Sequence, residues 1–172
     1  MKFIFILGIL LFSGCRGGEK AGASESSEKA AVSTAPDFTV SALDGRTIKL
    51  SSLKGKVVLI DFWATWCGPC VYEIPGFIKL YDKYNERGLE IIGLSVDRDR
   101  KAVVDFAEKR GVNYPIAFAD GEIQENYGGI RAIPVTVFVD REGRIAKSVV
   151  GARDEAFFEN EIIKLLGGGD DG

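Results

Sequence analysis

The sequence predicts an α/β fold: a central mixed β-sheet flanked by helices, with an N-terminal β-hairpin and a central insertion around residues 97 to 129. Three observations predict it. The stretch Val57 to Trp63, VVLIDFW, is apolar except for Asp61, the composition of a strand covered on both faces. Strand-like and helix-like runs then alternate, which implies a parallel core. Finally, two strand-like runs meet at Glu142-Gly143 and a helix follows, so the sheet gains an antiparallel hairpin at its end.

The elements follow in order. Met1 to Phe12 carries one charge, Lys2, and then an apolar run from Phe3 to Phe12. Crossing a bilayer takes roughly 20 apolar residues, so this shorter run fits the h-region of a secretory signal. Ser13, Gly14 and Cys15 come next. Arg16 to Ala35 is small, polar and charged, with Val32 its one aliphatic residue larger than alanine, and reads as a flexible linker. Twenty such residues have an r.m.s. span of about 25 Å. That length would let a domain reach partners near a membrane, or would only clear the surface.

Phe38 to Val40 and Thr47 to Leu50 flank Asp44-Gly45, a strong hairpin signal. Ser51 to Leu53 reads as a short helical turn and precedes the central strand. A helix is expected from Cys70 to about Arg87, with Ile74, Phe77, Ile78 and Tyr81 on one side, Pro75 kinking it and Gly88 ending it. Leu89 to Val96 reads as a second buried strand. Arg100 to Arg110 reads as an amphipathic helix closed by Gly111, with Val103, Val104, Phe106 and Ala107 apolar. A short strand within Tyr114 to Ala119 and a short helix over Glu122 to Tyr127 follow. Val135 to Val139 and Arg144 to Val150 form the second hairpin, and Asp154 caps a last helix to Leu166. Gly167 to Gly172 is a tail of glycine and acid.

With 172 residues and a net charge of −3, the chain suits one domain plus appendages and gives no reason to expect nucleic acid as a partner. It has no histidine, which excludes Ser-His-Asp and Cys-His catalysis and His-dependent metal sites. Val71 after Cys70 also excludes C-x-x-C-H haem attachment. Three cysteines leave one without an obvious partner: Cys67 and Cys70 form a C-x-x-C, and Cys15 stands apart.

A strand, a turn and a C-x-x-C at a helix start make a redox site with a mechanism. The helix N-terminus carries partial positive charge and unpaired N–H groups, which favour a thiolate at the first cysteine. Cys67 is therefore the expected nucleophile and Cys70, one turn further in, the expected resolving thiol. The competing readings are a structural disulfide or half a zinc site, although zinc normally takes four ligands. Asp61 is the odd residue of its strand. Burial would raise its pKa and mark a functional acid, whereas a position at the strand end would leave it in contact with water.

The segment DFWATWCGPC resembles the active-site segment of thioredoxins. The wider chain, from roughly Pro36 to Leu166, is similar to the membrane-associated TlpA/ResA-type thiol-disulfide oxidoreductases. Its other landmarks are DFTVSALDGRTIKLSSLKGK before the site and GIRAIPVTVFVDREGRI after it. The resemblance implies a thioredoxin-like domain over 36–166. It implies that Cys67 and Cys70 form a redox-active disulfide, and that Gly68-Pro69 between them favours a reducing protein. Asp61 matches the buried acid that helps deprotonate the resolving cysteine, though many TlpA/ResA-type proteins carry another residue there. Ile133-Pro134 matches a cis-proline loop that faces the cysteines and holds substrate backbone; a trans proline at a strand start is the alternative. Trp66 is expected to be an exposed contact surface, with Gly68 and Pro69, and Trp63 to be core. Glu73 matches a family acid after the C-x-x-C, but a solvated helix acid is the reading preferred here.

Ser13-Gly14-Cys15 resembles a lipoprotein signal cleaved before Cys15, with Phe12 standing where the pattern usually has leucine. This gives a signal peptide over 1–14, a lipidated Cys15 with a linker over 15–35, and an extracytoplasmic domain lipid-anchored to the cell membrane, or to the outer membrane facing the periplasm. Ordinary signal cleavage or a retained signal anchor are the alternatives. The implied function is a protein-disulfide reductase without a cofactor, with apocytochrome c as one substrate class and an upstream membrane thiol reductant. Two other functions compete with this reading. A peroxiredoxin-like peroxidase would have threonine three residues before its reactive cysteine, where this chain has Ala64. A Cu(I) carrier could use two soft thiolates, but its relatives usually have wider cysteine spacing and a histidine.

Overall fold

The structure is a computed structural model that describes residues 33–167. The expected signal peptide, Cys15, nearly all of the expected linker and most of the C-terminal tail lie outside these residues. Among the described residues, no helix is long and apolar enough to cross a membrane.

Strands β1 (Thr39–Ser41) and β2 (Thr47–Lys49) form an antiparallel hairpin. A 3₁₀ turn, Leu50–Leu53, leads into β3 (Val57–Trp63). Helix α1 (Gly68–Tyr84), β4 (Leu89–Ser95), α2 (Arg100–Arg110), β5 (Ile116–Phe118), α3 (Gly121–Asn126), β6 (Val135–Val139), β7 (Ile145–Val150) and α4 (Glu155–Leu166) follow. The five-stranded sheet has the order β5-β4-β3-β6-β7. Strands β3, β4 and β5 run parallel, and β6 and β7 add antiparallel neighbours. Residues 97–129 thus supply a further crossover, and their strand β5 joins the sheet as its edge.

All seven residues of β3 are buried, because the sheet is covered on both sides. Successive side chains of a strand point to opposite faces. Leu59 and Trp63 enter a core with Phe77 of α1, Val103 of α2 and Phe158 of α4. Val58, Ile60 and Phe62 face the second core, with Val40 and Ile48 of the hairpin and Ile123 of α3. The hairpin is tied to the sheet edge where Leu43 N–H donates to Ile116 O (2.8 Å).

Several element ends differ from the sequence reading by a residue, and larger differences fall at helix α1 and at the N-terminus. Helix α1 begins at Gly68, because Cys67 is its N-cap and Pro69 suits the first turn, where its missing N–H costs nothing. It continues through Pro75 as a single helix to Tyr84, and a 3₁₀ turn, Asn85–Arg87, completes the run. The folded part also begins before Pro36. Ala35 is buried and its N–H donates to Gly143 O (3.0 Å), Thr34 bridges Arg144, and Ser33 O accepts from Ile145 N–H (2.8 Å). This arm fastens to the β6–β7 turn.

Candidate active site

The site forms at the end of the sheet where β3 stops and β6 starts, since the two strands run antiparallel. Trp63 ends β3, and the chain turns through Ala64, Thr65 and Trp66 to the helix start at Cys67. Cys67 N–H donates to Ala64 O (3.2 Å), closing the turn. Cys67 and Cys70 are joined as a disulfide. The Cys70 N–H points at Cys67 Sγ (3.2 Å), as an N-cap acceptor requires. Cys67 retains 6% exposure, whereas Cys70 retains none. The outer sulfur is therefore the one a large partner can reach.

The Ile133–Pro134 bond is cis, and Ile133 O lies 3.8 Å from Cys67 Sγ. Pro134 is buried and Ile133 half-buried, so the loop presents its backbone to the disulfide. Trp66 is 71% exposed, and Gly68 and Pro69 are exposed beside it. Trp63 is core. The structure thus brings together Trp66, Cys67, Gly68, Pro69, Cys70, Ile133 and Pro134 at one end of the sheet.

Asp61 lies beneath this group. It shares the α1-facing side of β3 with Leu59 and Trp63, and it has no exposure. Neither of its carboxylate oxygens has a hydrogen-bond partner among the described residues. Burial, with the Glu73 carboxyl adding repulsion, pushes its pKa well above the ordinary carboxylate value.

Glu73 overturns the preferred sequence reading. It is not solvated: its exposure is 3%. It stands three residues after Cys70 and four before Phe77, both fully buried, so helix periodicity turns it inward. That periodicity was the signal available in the sequence. Its Oε1 accepts the Arg153 N–H (2.7 Å), while Oε2 is buried with no hydrogen-bond partner among the described residues. Burial raises its pKa to about 7, against the Arg153 N–H bond and charge, which lower it. The Tyr114 phenol is also pushed well up by burial and by the Asp61 and Glu73 carboxyls. A small surface pocket of about 150 Å³, lined by Tyr72, Glu73, Pro75, Lys79, Arg153 and Glu155, opens beside Glu73.

Sequence reasoning missed a second group. Asp97, in the loop after β4, accepts hydrogen bonds from Thr65 N–H (2.9 Å), Thr65 Oγ1 (2.6 Å) and Ser95 Oγ (2.9 Å). Asp97 N–H in turn donates to Ser95 Oγ (3.0 Å). Val96 N–H donates to Trp63 O (2.9 Å), so the loop after β4 is tied to the turn after β3 twice. The signal was position: sites in parallel α/β sheets gather at the carboxyl ends of the strands.

Comparison with known proteins agrees with this geometry. Residues 32–148 match the AhpC/TSA family. Thiol-disulfide oxidoreductase ResA of Bacillus thuringiensis is 36% identical over 131 residues, covering 76% of each chain. ResA of Geobacillus thermodenitrificans is 39% identical over 127 residues, covering 72% of this chain and 73% of its own. Among solved structures, a thioredoxin-family thiol:disulfide interchange protein of Chlorobium tepidum superposes with a TM-score of 0.75 at 31% identity, covering 80% of this chain and 99% of its own. The chain therefore belongs to the AhpC/TSA family as a ResA-like thiol-disulfide oxidoreductase of thioredoxin-like fold, acting on disulfide-containing proteins.

Proposed function

We propose that the protein is an extracytoplasmic reductase of protein disulfides, held at a membrane by a lipid on Cys15 and serving substrates such as the haem-site cysteines of apocytochrome c. The observation that carries the reading is the asymmetry of the Cys67–Cys70 pair: an outer sulfur at a helix N-terminus beside the Ile133 carbonyl, and an inner sulfur with no exposure. In the reduced protein, the Cys67 thiolate attacks one sulfur of a substrate disulfide. A mixed disulfide forms and the other substrate sulfur leaves as a thiolate. Cys70 loses its proton and attacks Cys67 Sγ, which releases the second substrate thiolate and leaves Cys67 and Cys70 oxidised. Two electrons have moved from the protein to the substrate. An upstream membrane thiol reductant then restores the dithiol.

Asp61 supplies the proton acceptor for Cys70 in this scheme: burial pushes its pKa well above the ordinary carboxylate value, which makes its carboxylate a stronger base than an exposed one. Trp66, Gly68, Pro69, Ile133 and Pro134 form the surface that receives substrate backbone. The reducing direction is supported by the Gly68-Pro69 dipeptide, shared with the thioredoxins the segment resembles.

The test is capture. Cys70→Ser removes the resolving thiol, so a mixed disulfide on Cys67 accumulates and its partner can be identified by mass spectrometry. Recovery of extracytoplasmic disulfide proteins is expected; a set of cytoplasmic proteins, or none, would overturn the reading. Detergent partitioning of the parent protein, lost in Cys15→Ser, tests the anchor separately.

A further inference from the structure

We propose that Asp97 is a positioning residue for the redox site, clamping Thr65 so that Cys67 keeps its place when the disulfide opens. The argument starts from what holds the turn between β3 and α1. Trp66 is 71% exposed, so packing does little to fix it. Cys67 is fixed in the oxidised protein by its bond to Cys70. On reduction that bond is lost, and the turn must then be held by other contacts.

Thr65 is two residues before Cys67 and provides a two-point side-chain contact of this kind. One carboxylate engages both of its donors: Oδ2 takes the backbone N–H and Oδ1 takes the hydroxyl. A two-point contact fixes orientation as well as distance. The carboxylate is itself held, because Ser95 has no exposure and its hydroxyl donates to Oδ2 while accepting the Asp97 N–H. The clamp is thus anchored in the last residue of β4, which pairs with Trp63 in β3. It joins two central strands across the base of the turn.

The consequence is chemical. The dithiol and disulfide forms interconvert with glutathione: protein dithiol plus glutathione disulfide gives protein disulfide plus two glutathione thiols. The position of that equilibrium depends on the effective concentration of Cys67 at Cys70 in the reduced protein, as in any ring closure. A clamped turn keeps this concentration high and favours the disulfide, so the clamp makes the dithiol a stronger reductant. Loss of the clamp frees the reduced turn more than the oxidised one, and the equilibrium moves toward the dithiol.

The experiment equilibrates the parent protein and variants in glutathione redox buffers at fixed pH and reads the fraction oxidised. Glutathione alone is used, so the result does not depend on the proposed substrate, anchor or direction of flow. Asp97→Ala is expected to shift the equilibrium about fivefold toward the dithiol, the scale of one or two hydrogen bonds. Thr65→Val, which loses the hydroxyl but keeps the N–H, should shift it less. Thr65→Ser should restore the parent equilibrium. Asp97→Asn keeps an acceptor for the N–H and removes the charge, and should fall between Asp97→Ala and the parent.

Three outcomes would overturn the proposal. In the first, Asp97→Ala lowers the melting temperature of both forms equally without moving the equilibrium, which would make the network purely structural. In the second, Asp97→Asn matches Asp97→Ala, which would assign the effect to charge. Should Asp97→Ala fail to fold, Thr65→Val carries the test alone, and an unmoved equilibrium in that variant is the third.

Discussion

Glu73→Gln should make the protein more stable at pH 8 and leave it nearly unchanged at pH 4. Glutamine keeps an oxygen for the Arg153 N–H and replaces the ionisable oxygen with a neutral amide NH2. The wild-type carboxyl has its pKa raised by burial from the ordinary 4.5 to about 7. The folded state therefore binds more protons than the unfolded state between those values. Stability contributed by this group is fully present below about pH 4.5 and is lost as pH rises through about 7. At about 1.4 kcal/mol for each pH unit between the two values, the loss has a ceiling of about 3 kcal/mol. Water entering the pocket beside Glu73 reduces this, so a gain of about 1–3 kcal/mol is expected for the variant at pH 8. For a chain of this size that corresponds to a rise of roughly 2 to 12 °C in Tm. Removing the Glu73 charge also relieves the repulsion that helps raise the Asp61 pKa. The assay is denaturant unfolding of the oxidised protein at pH 4 to 9, with parent and variant side by side. A stability difference that stays flat across that range, or a variant less stable at pH 8, would refute the reasoning.

Asp61→Asn removes the proposed proton acceptor, so resolution of a pre-formed mixed disulfide by Cys70 should slow at least tenfold in stopped-flow measurements near neutral pH, while initial attack by Cys67 changes less. In the reduced protein, Cys67 should be alkylated by iodoacetamide before Cys70, as peptide mapping would show; preferential labelling of Cys70 would reverse the assignment. Gly93→Ala should destabilise the fold by about 1–3 kcal/mol, because its new Cβ would stand 3.1 Å from Trp63 Nε1 and 3.3 Å from the Tyr114 ring, and thermal melts would read the loss.

The parts of the fold that depend on local composition were legible in the sequence. Strand β3 was placed residue for residue because burial on both faces leaves a continuous apolar run. Helix α4 was placed because Asp154 accepts the Phe157 N–H, as an N-cap signature promises. The cis Ile133–Pro134 bond and the exposed Trp66 followed from the resemblance and not from composition. What escaped depends on tertiary partners. Glu73 looked solvated because an acid on a helix usually is, and its hydrogen-bond partner, the Arg153 N–H, lies 80 residues away in the chain. Asp97 and Thr65 are 32 residues apart, and nothing in either segment announces the other. The arm at Thr34 was invisible for the same reason, since its partner Arg144 belongs to the last hairpin.

That arm has a mechanical consequence. It fastens at the β6–β7 turn, whereas the disulfide sits where β6 begins, so the length of the sheet separates the two. A seven-residue strand such as β3 spans about 23 Å. Tension applied to the chain before Ser33 would load the Thr34–Arg144 rung first and open it like a zipper. Strand β3, which carries the turn to Cys67, would feel the pull only after the arm had peeled away. Under such a load this attachment would work as a fuse that gives way at the end remote from the chemistry.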